Sequence, residues 1–290
     1  MSVLILCRET TEDVEKLYSA LQNQGIDVVC ASPKAVSLNL IEQGEAQVYV
    51  NDRQIIPTLV MGWVSLWARD TGLWLLQAFE QLNIPVMNGS DVLTHGQSKL
   101  INTVMLHQHK EPHANTALVS NMAALDVLLE DIGLPCVVKP IIGAKGIGVK
   151  KLDTLSELKQ YAENEFEHNR PIYLQKIMPK PDRDIRVRVI DFKAQFAFYR
   201  SLGDDGFITN LCQGGGWQEC TLSDEMVKIS ERCAKMMSAP ICGVDLIEDN
   251  EAPSGYRVIE VNTTPAFTWP NDASVAHVVS MILNRLKQAQ

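Results

Sequence analysis

The run Cys136-Val137-Val138-Lys139 ends in a lysine, and Gly143-Ala144-Lys145-Gly146-Ile147-Gly148-Val149 follows it. The apolar part reads as a buried strand, and a lysine there costs free energy unless an anion meets its ammonium. Three glycines within six residues let backbone N–H groups approach phosphate oxygens without side chains in the way. Together the two features demand a fold that brings a strand end and a pliable loop to one anionic ligand. A glycine-rich hairpin turn without a ligand is the plainer reading of the loop taken alone. The spacing is not that of a Walker loop, which needs Gly-Lys-Ser/Thr opening a helix. Nor is it a dinucleotide fingerprint placed directly after a strand.

A second pattern lies near the C-terminal end, in Gly243-Val244-Asp245 and Val258-Ile259-Glu260-Val261-Asn262. Alternate residues of a strand share a face, so Glu260 and Asn262 are expected to point one way with Val258, while Ile259 and Val261 pack on the other. Two carboxylates and an amide carbonyl are hard oxygen donors, suited to magnesium held between protein and phosphates. Solvated acids at a strand end are the alternative. Asp184-Ile185-Arg186-Val187-Arg188 places an acid and two arginines on one strand face, which suits bidentate binding of carboxylates or phosphates. A solvated sheet surface gives the same alternation. Arg200 ends the next predicted strand and can face the same place.

The chain has 290 residues, enough for about two compact domains. A net charge of −9 argues against a duplex nucleic-acid binder, which needs a dense cationic surface to displace counterions. Seven cysteines, an odd number without a CxxC pair, argue against structural disulfides and a zinc knuckle. No apolar stretch approaches the roughly 20 residues that span a bilayer. The first residues lack the basic flank and cleavage site of a signal peptide. A cytoplasmic protein with no membrane partner is the expectation.

Along the chain, a strand at 3–7, a helix carrying Val14, Leu17, Tyr18 and Leu21 at helical spacing, and a strand at 26–30 predict a parallel βαβ unit. A small hairpin within 46–56, a buried strand at 58–63, a helix over 73–82 and a strand at 84–87 complete this unit. Further on, helices are predicted over 97–109, 122–131, 156–164, 224–237 and 273–287. The strands of this part are predicted at 135–140, 172–177, 185–190, 194–199, 243–247 and 257–261.

Lys99 on a helix, Val-Val-Lys139, Gly143-x-Lys-Gly-Ile-Gly-Val, Tyr173-Leu-Gln-Lys-Ile, Asp184-Ile-Arg-Val, Thr209-Asn210-Leu, Gly-Val-Asp245 and Glu260-Val-Asn-x-x-Pro occur in that order. The series resembles the ATP-grasp superfamily and, within it, the RimK-like α-L-glutamate ligases. It covers the chain from Ser90 onward closely; the N-terminal part is similar in order and length but carries no diagnostic motif. The resemblance implies an α/β (α+β) architecture: an N-terminal pre-ATP-grasp α/β domain over 1–90, a small lobe with the glycine-rich lid over 91–175, and a C-terminal lobe with the metal site over 176–290.

The same resemblance implies roles residue by residue. Lys99 and Lys139 would contact the phosphates of ATP, under a lid that contains Gly143, Lys145, Gly146 and Gly148. Gln175, Lys176, Ile177 and Met178 would offer backbone groups to adenine, Asp184 would meet the ribose, and Asn210 would lie beside the triphosphate. Asp245, Glu260 and Asn262 match positions that hold Mg2+ or Mn2+. Arg186 matches an arginine near the acyl-phosphate, with Arg188 and Arg200 as further contacts to the acid. The chain departs from the usual pattern at Gln175-Lys176-Ile177-Met178, where Gln-Glu-Tyr-Ile is common. It departs also at Ile208 and at Cys212-Gln213, where basic residues are common, and those changes bear on the identity of the acidic substrate.

The implied activity is ATP-dependent joining of a carboxylate to an amine through an acyl-phosphate. The amine would be L-glutamate or a related amino acid. The acceptor would be a protein C-terminus, a peptide, or a coenzyme side arm such as that of tetrahydromethanopterin. An amino-acid-biosynthesis ligase acting on a carrier protein, and a nucleotide-binding regulator without turnover, are the other readings. Apolar faces of the N-terminal unit leave homo-oligomerisation open.

If 143–148 closes over phosphates, protease should cut it readily in the ligand-free protein. Magnesium with a non-hydrolysable ATP analogue should then protect it. Equal cleavage in both states, followed by mass spectrometry of the fragments, would leave only the turn reading.

Overall fold

Val3, Leu4, Ile5 and Leu6 are all fully buried, as a parallel strand covered on both faces requires. The computed structural model describes residues 1–7, 9, 11–144, 146–178, 182–202, 216–268 and 272–288. β1 (Ser2–Cys7), α1 (Glu12–Gln22) and β2 (Asp27–Ala31) form the expected parallel unit, with Val14, Leu17 and Leu21 of α1 buried against it. β3 (Val36–Asn39), β4 (Gln47–Val50) and β5 (Arg53–Ile55) make a separate antiparallel sheet. The predicted hairpin is its β4–β5 pair, turning at Asn51 with φ 53°, and β3 is an addition to the sequence reading. β6 (Leu59–Trp63), α2 (Arg69–Gln81) and β7 (Val86–Met87) complete a parallel sheet of order β2-β1-β6-β7.

The single helix predicted over 97–109 is two helices, α3 (Ser90–Gln97) and α4 (Lys99–Gln108). Ser98 takes an extended backbone between them, and its hydroxyl accepts from Ile101 N–H at 3.3 Å as the N-cap of α4. β8 (Thr116–Val119), α5 (Met122–Ile132), β9 (Cys136–Lys139), β10 (Lys150–Leu152), α6 (Leu155–Glu167) and β11 (Ile172–Lys176) follow. Their strands form an antiparallel sheet of order β10-β9-β11-β8, so the glycine-rich segment is the connection of the β9–β10 pair.

The last sheet, of order β14-β13-β12-β15-β16, carries the two acidic patterns. It consists of β12 (Arg183–Ile190), β13 (Lys193–Ser201), β14 (Trp217–Cys220), β15 (Ile241–Glu248) and β16 (Tyr256–Asn262). α7 (Asp224–Met236) packs Met226, Ile229 and Cys233 onto one face with Val187, Val244 and Val258. α8 (Ala273–Gln288) shares a core with α1 and β1 on the other side. Among the described residues no helix is long and apolar enough to cross a membrane.

Polar side chains far apart in sequence fasten these sheets together. The buried Asp13 Oδ1 accepts from Phe267 N–H at 2.7 Å, Thr268 N–H at 2.7 Å and the Thr268 hydroxyl at 2.8 Å. Asn88 donates from one amide nitrogen to the carbonyls of Ile241 and Thr263, both at 2.7 Å. On β16, Asn102 of α4 donates to Val261 O at 2.8 Å and accepts from Val261 N–H at 3.1 Å. β16 is an edge strand, and this amide satisfies backbone groups that a sixth strand would otherwise pair. The contact also sets α4, with Lys99 at its start, beside the strand that carries Glu260.

Asp13→Ala removes the acceptor of two buried backbone donors and should cost about 2–3 kcal/mol, since each unsatisfied group carries its desolvation penalty. Asp13→Asn keeps one oxygen and should cost less. Urea unfolding midpoints of both variants, at unchanged m, check the order.

Candidate active site

A narrow cleft lies between the β10-β9-β11-β8 sheet and the last sheet, lined by Gly96, Lys99, Asn102, Lys139, Tyr173, Ile259 and Glu260. Lys99 arrives from the start of α4 and Lys139 from the end of β9, so two ammonium-bearing stems and one carboxylate line the same cleft. The Lys99 ammonium donates to Gly143 O at 3.0 Å, while Lys99 N–H donates to Ile141 O at 2.8 Å, which pins the start of the glycine-rich segment to α4. Gly146 and Gly148 have φ of 72° and 78°, in the left-handed region that favours glycine. Lys139 Nζ donates to Gln175 Oε1 at 2.7 Å. The Gln175 amide in turn donates to the Thr116 hydroxyl at 3.0 Å and Tyr173 OH at 3.2 Å. Burial raises the Tyr173 phenol above its ordinary value, so it stays neutral, a hydrogen-bond partner rather than a base. Gly96 has a separate role: a Cβ there would collide with Thr263, so glycine lets α3 lie directly on the end of β16.

Below the cleft, charged residues align across the last sheet. Arg200 of β13 stands opposite Asp184 of β12, Arg186 of β12 opposite Asp245 of β15, and Asp245 opposite Glu260 of β16. Arg200 donates to both oxygens of Asp184 at 2.6 and 2.8 Å, and to Asp245 Oδ2 at 2.7 Å. Arg186 donates to both oxygens of Asp245, each at 2.6 Å. Burial alone would raise the Asp245 carboxyl, but Arg186 and Arg200 outweigh it and hold it below the usual carboxylate range. Burial likewise opposes the charge on Arg200, and the two carboxylates hold its guanidinium above its usual value.

Several sequence expectations are corrected here. Val258 does not share the face of Glu260: it lies in the core beneath α7, and Ile259 lines the cleft instead. The reason is a bulge, because Asp245 pairs Glu260 while Leu246 pairs Val258, leaving Ile259 as the extra residue that breaks the alternation. Asp184, Arg186 and Arg188 do share a face, but it is not a solvated surface: Asp184 is 3% exposed and Arg188 1%. Arg188 donates to Ala266 O at 2.7 Å, Phe267 O at 3.2 Å and the Ser274 hydroxyl at 3.0 Å. Burial lowers its guanidinium to about 10, with Arg186 adding to the shift. It holds the segment after β16 rather than a substrate. Asp184 pairs with Arg200, and Arg200 with both Asp184 and Asp245. Gln175 lies on an internal strand whose register runs against both β8 and β9, so its side chain, not its backbone, serves the cleft. Lys145 and Asn210 lie outside the described residues.

The set Asp245, Glu260 and Asn262 offers only oxygen donors on adjacent ladder positions, a chemistry that fits magnesium. Among the described residues no group of three His, Cys, Asp or Glu side chains could hold a metal, and the set reaches three only through the Asn262 amide oxygen. That oxygen also accepts from Thr264 N–H at 3.0 Å. Tyr173 and Asn102 were not picked out as site residues in the sequence. Strand alternation with Gln175 would have found the first, and helical spacing from Lys99 the second.

Residues 96–284 match the RimK-like ATP-grasp domain family. A tetrahydromethanopterin:alpha-L-glutamate ligase of Methanococcus maripaludis is 28% identical over 290 residues, covering 96% of this chain and 94% of its own. An alpha-aminoadipate–LysW ligase, LysX, of Sulfolobus acidocaldarius is 30% identical over 214 residues, covering 72% of this chain and 76% of its own. Among solved structures, the macrocyclase MdnC of Microcystis aeruginosa with precursor peptide MdnA has a TM-score of 0.75 at 14% identity, covering 98% of this chain and all (100%) of that one. D-alanine–D-alanine ligase of Bacillus anthracis complexed with ATP has a TM-score of 0.69 at 18% identity, covering 99% and 96%. At such identities the structures speak for the fold alone.

Arg200→Met would remove the guanidinium that holds both oxygens of Asp184 and would leave Asp245 with Arg186 alone of its two arginines. The expected loss is about 3–5 kcal/mol, well above that for Arg170→Met, whose pair with Glu165 lies at the surface. The Asp245 carboxyl is depressed in the folded state. Its stabilisation is therefore present above the unfolded-state value near about 4 and lost as pH falls through the folded value. Denaturant titrations across pH should show the gap between wild type and Arg200→Met shrinking on acidification.

Proposed function

The chain belongs to the RimK-like ATP-grasp domain family and is an ATP-grasp ligase, and on that premise we propose that it joins L-glutamate or a related amino acid to a carboxylate acceptor. The observation that carries the reading is the meeting of Lys99, Lys139 and Glu260 in one cleft, above an arginine-held carboxylate. The acceptor class is a peptide, a protein C-terminus or a coenzyme side arm. The similarity to the tetrahydromethanopterin:alpha-L-glutamate ligase supports the last of these.

In the proposed reaction an oxygen of the acceptor carboxylate attacks the γ-phosphorus of ATP, and the bond to the β,γ-bridging oxygen breaks to release ADP. Lys99 and Lys139 hold negative charge on the phosphates, and Gln175 keeps Lys139 aimed at them. The amine then attacks the acyl carbon, phosphate leaves, and the nitrogen loses a proton. Arg186 presents the guanidinium fork that suits the acid. Residues 143–148 close over the phosphates and keep water from the acyl-phosphate. Ile177 and Met178, just beyond β11, are the stretch we assign to adenine. Asp245, Glu260 and Asn262 would hold magnesium, which when bound neutralises charge on the transferring group.

The test is ADP release across a panel of amino acids crossed with candidate acceptors, with mass spectrometry of the products. Amine-dependent ADP release with the matching mass gain is expected. Lys139→Ala and Glu260→Ala should each lose at least about 10²-fold in turnover while remaining folded, the scale of one electrostatic stabiliser. Nucleotide binding without turnover across the whole panel would overturn the ligase reading in favour of a regulator. Near-wild-type rates in either variant would overturn the site assignment.

A further inference from the structure

Asp245 answers to two kinds of cation. A carboxylate offers about four lone-pair sites. Arg186 takes two of them at 2.6 Å each, and Arg200 takes a third at 2.7 Å. Glu260 faces the same carboxylate across the ladder, with Asn262 further along the same edge. A divalent ion that draws on these oxygens brings two positive charges up against two guanidinium groups already seated there. Like charges at that range repel, and the sheet offers little water to screen them.

The two arginines are not equally held. Arg200 keeps a second carboxylate, Asp184, through two hydrogen bonds of 2.6 and 2.8 Å, and its side chain is 10% exposed. Among the described residues Arg186 hydrogen-bonds only to Asp245, and its side chain is 15% exposed at the cleft side of the sheet. If a cation enters, Arg200 can give up its single bond to Asp245 without leaving its place. Arg186 has no second acceptor among the described residues.

We propose that Arg186 is a placeholder cation: it occupies Asp245 until a divalent metal arrives with nucleotide, and the metal then releases its guanidinium toward the acidic substrate. The assignment of the released fork to an acid rests on the ligase reading above; the competition for Asp245 does not. Arg186 is thus a positioning residue in the metal-free state and a substrate contact only after loading. Linkage requires the reciprocal effect, so whatever holds Arg186 on Asp245 weakens metal binding by the same factor. The consequence inverts the ordinary expectation for a cationic residue in a nucleotide site, whose loss weakens binding of an anionic metal–nucleotide complex.

The experiment is equilibrium binding of Mn2+ to the full chain at saturating non-hydrolysable ATP analogue, read from the electron paramagnetic resonance signal of free Mn2+. Arg186→Met should bind Mn2+ about tenfold more tightly than wild type, within the range typical of coupled sites. Glu260→Gln, which removes a donor charge, should bind more weakly. Unchanged or weaker Mn2+ binding by folded Arg186→Met overturns the proposal. Asp245 retains Arg200 in that variant. Should it nonetheless fail to fold, Arg186→Lys decides: the ammonium cannot span both oxygens, so tighter binding supports the competition and unchanged or weaker binding sinks it. The readout is independent of turnover. Tighter Mn2+ binding in a chain that never releases ADP would remove the ligase reading alone, and active ligation with unaltered Mn2+ affinity would remove the placeholder alone.

Discussion

Arg200, Asp184, Arg186 and Asp245 are ionised side chains on one face of a sheet, and burial makes each depend on the next. Arg200 touches both acids, so the row depends on it most: losing it withdraws a buried cation from Asp184 and Asp245 together, whereas losing Arg186 leaves Asp245 with Arg200. The row also ties β13, β12 and β15 together at the level where β16 presents Glu260. The position of the cleft floor follows from this row of charges, and the cleft walls are built onto it by Asn102 and Gly96 from the helices above.

The two lysines show a different economy. The Lys99 ammonium donates to the Gly143 carbonyl, and the Lys139 ammonium donates to the Gln175 amide oxygen. A neutral carbonyl satisfies a hydrogen bond of Lys99 without cancelling its charge, so the field of that ammonium stays available to an incoming anion. Asp245, by contrast, is over-supplied with positive charge. The molecule keeps cationic capacity on the upper wall of the cleft and neutralised acid on its floor, a division that suits a ligand carrying both phosphates and a metal.

The long-range tethers explain how an N-terminal parallel sheet without a site motif contributes to this arrangement. Asp13 caps the backbone at Phe267 and Thr268, and Arg188 holds Ala266 and Phe267 from the opposite side. The segment after Asn262 is therefore gripped between α1 and β12. Its fixed course keeps Thr263 against Gly96, and through that contact keeps α3 and α4 on β16.

Much of this was legible in the sequence. Helical spacing of Val14, Leu17 and Leu21, the apolar runs of β1, β6 and β15, and the ordered motifs from Lys99 to Asn262 were enough to determine the family and most elements, though not the short strands β3, β8, β10 and β14 or the break at Ser98 between α3 and α4. These are local signals, carried by residues a few positions apart, and local periodicity survives without a structure. What the sequence could not determine was partnership. Whether Arg188 faces a substrate or the carbonyls of Ala266 and Phe267 depends on a segment about eighty positions away in the chain. Whether Val258 or Ile259 stands beside Glu260 depends on a bulge set by pairing with β15, which strict alternation cannot anticipate. Only the tertiary structure decided that Asp245 sits between two arginines, because ion pairs across sheet strands are chosen by register, and register is a property of the assembled sheet.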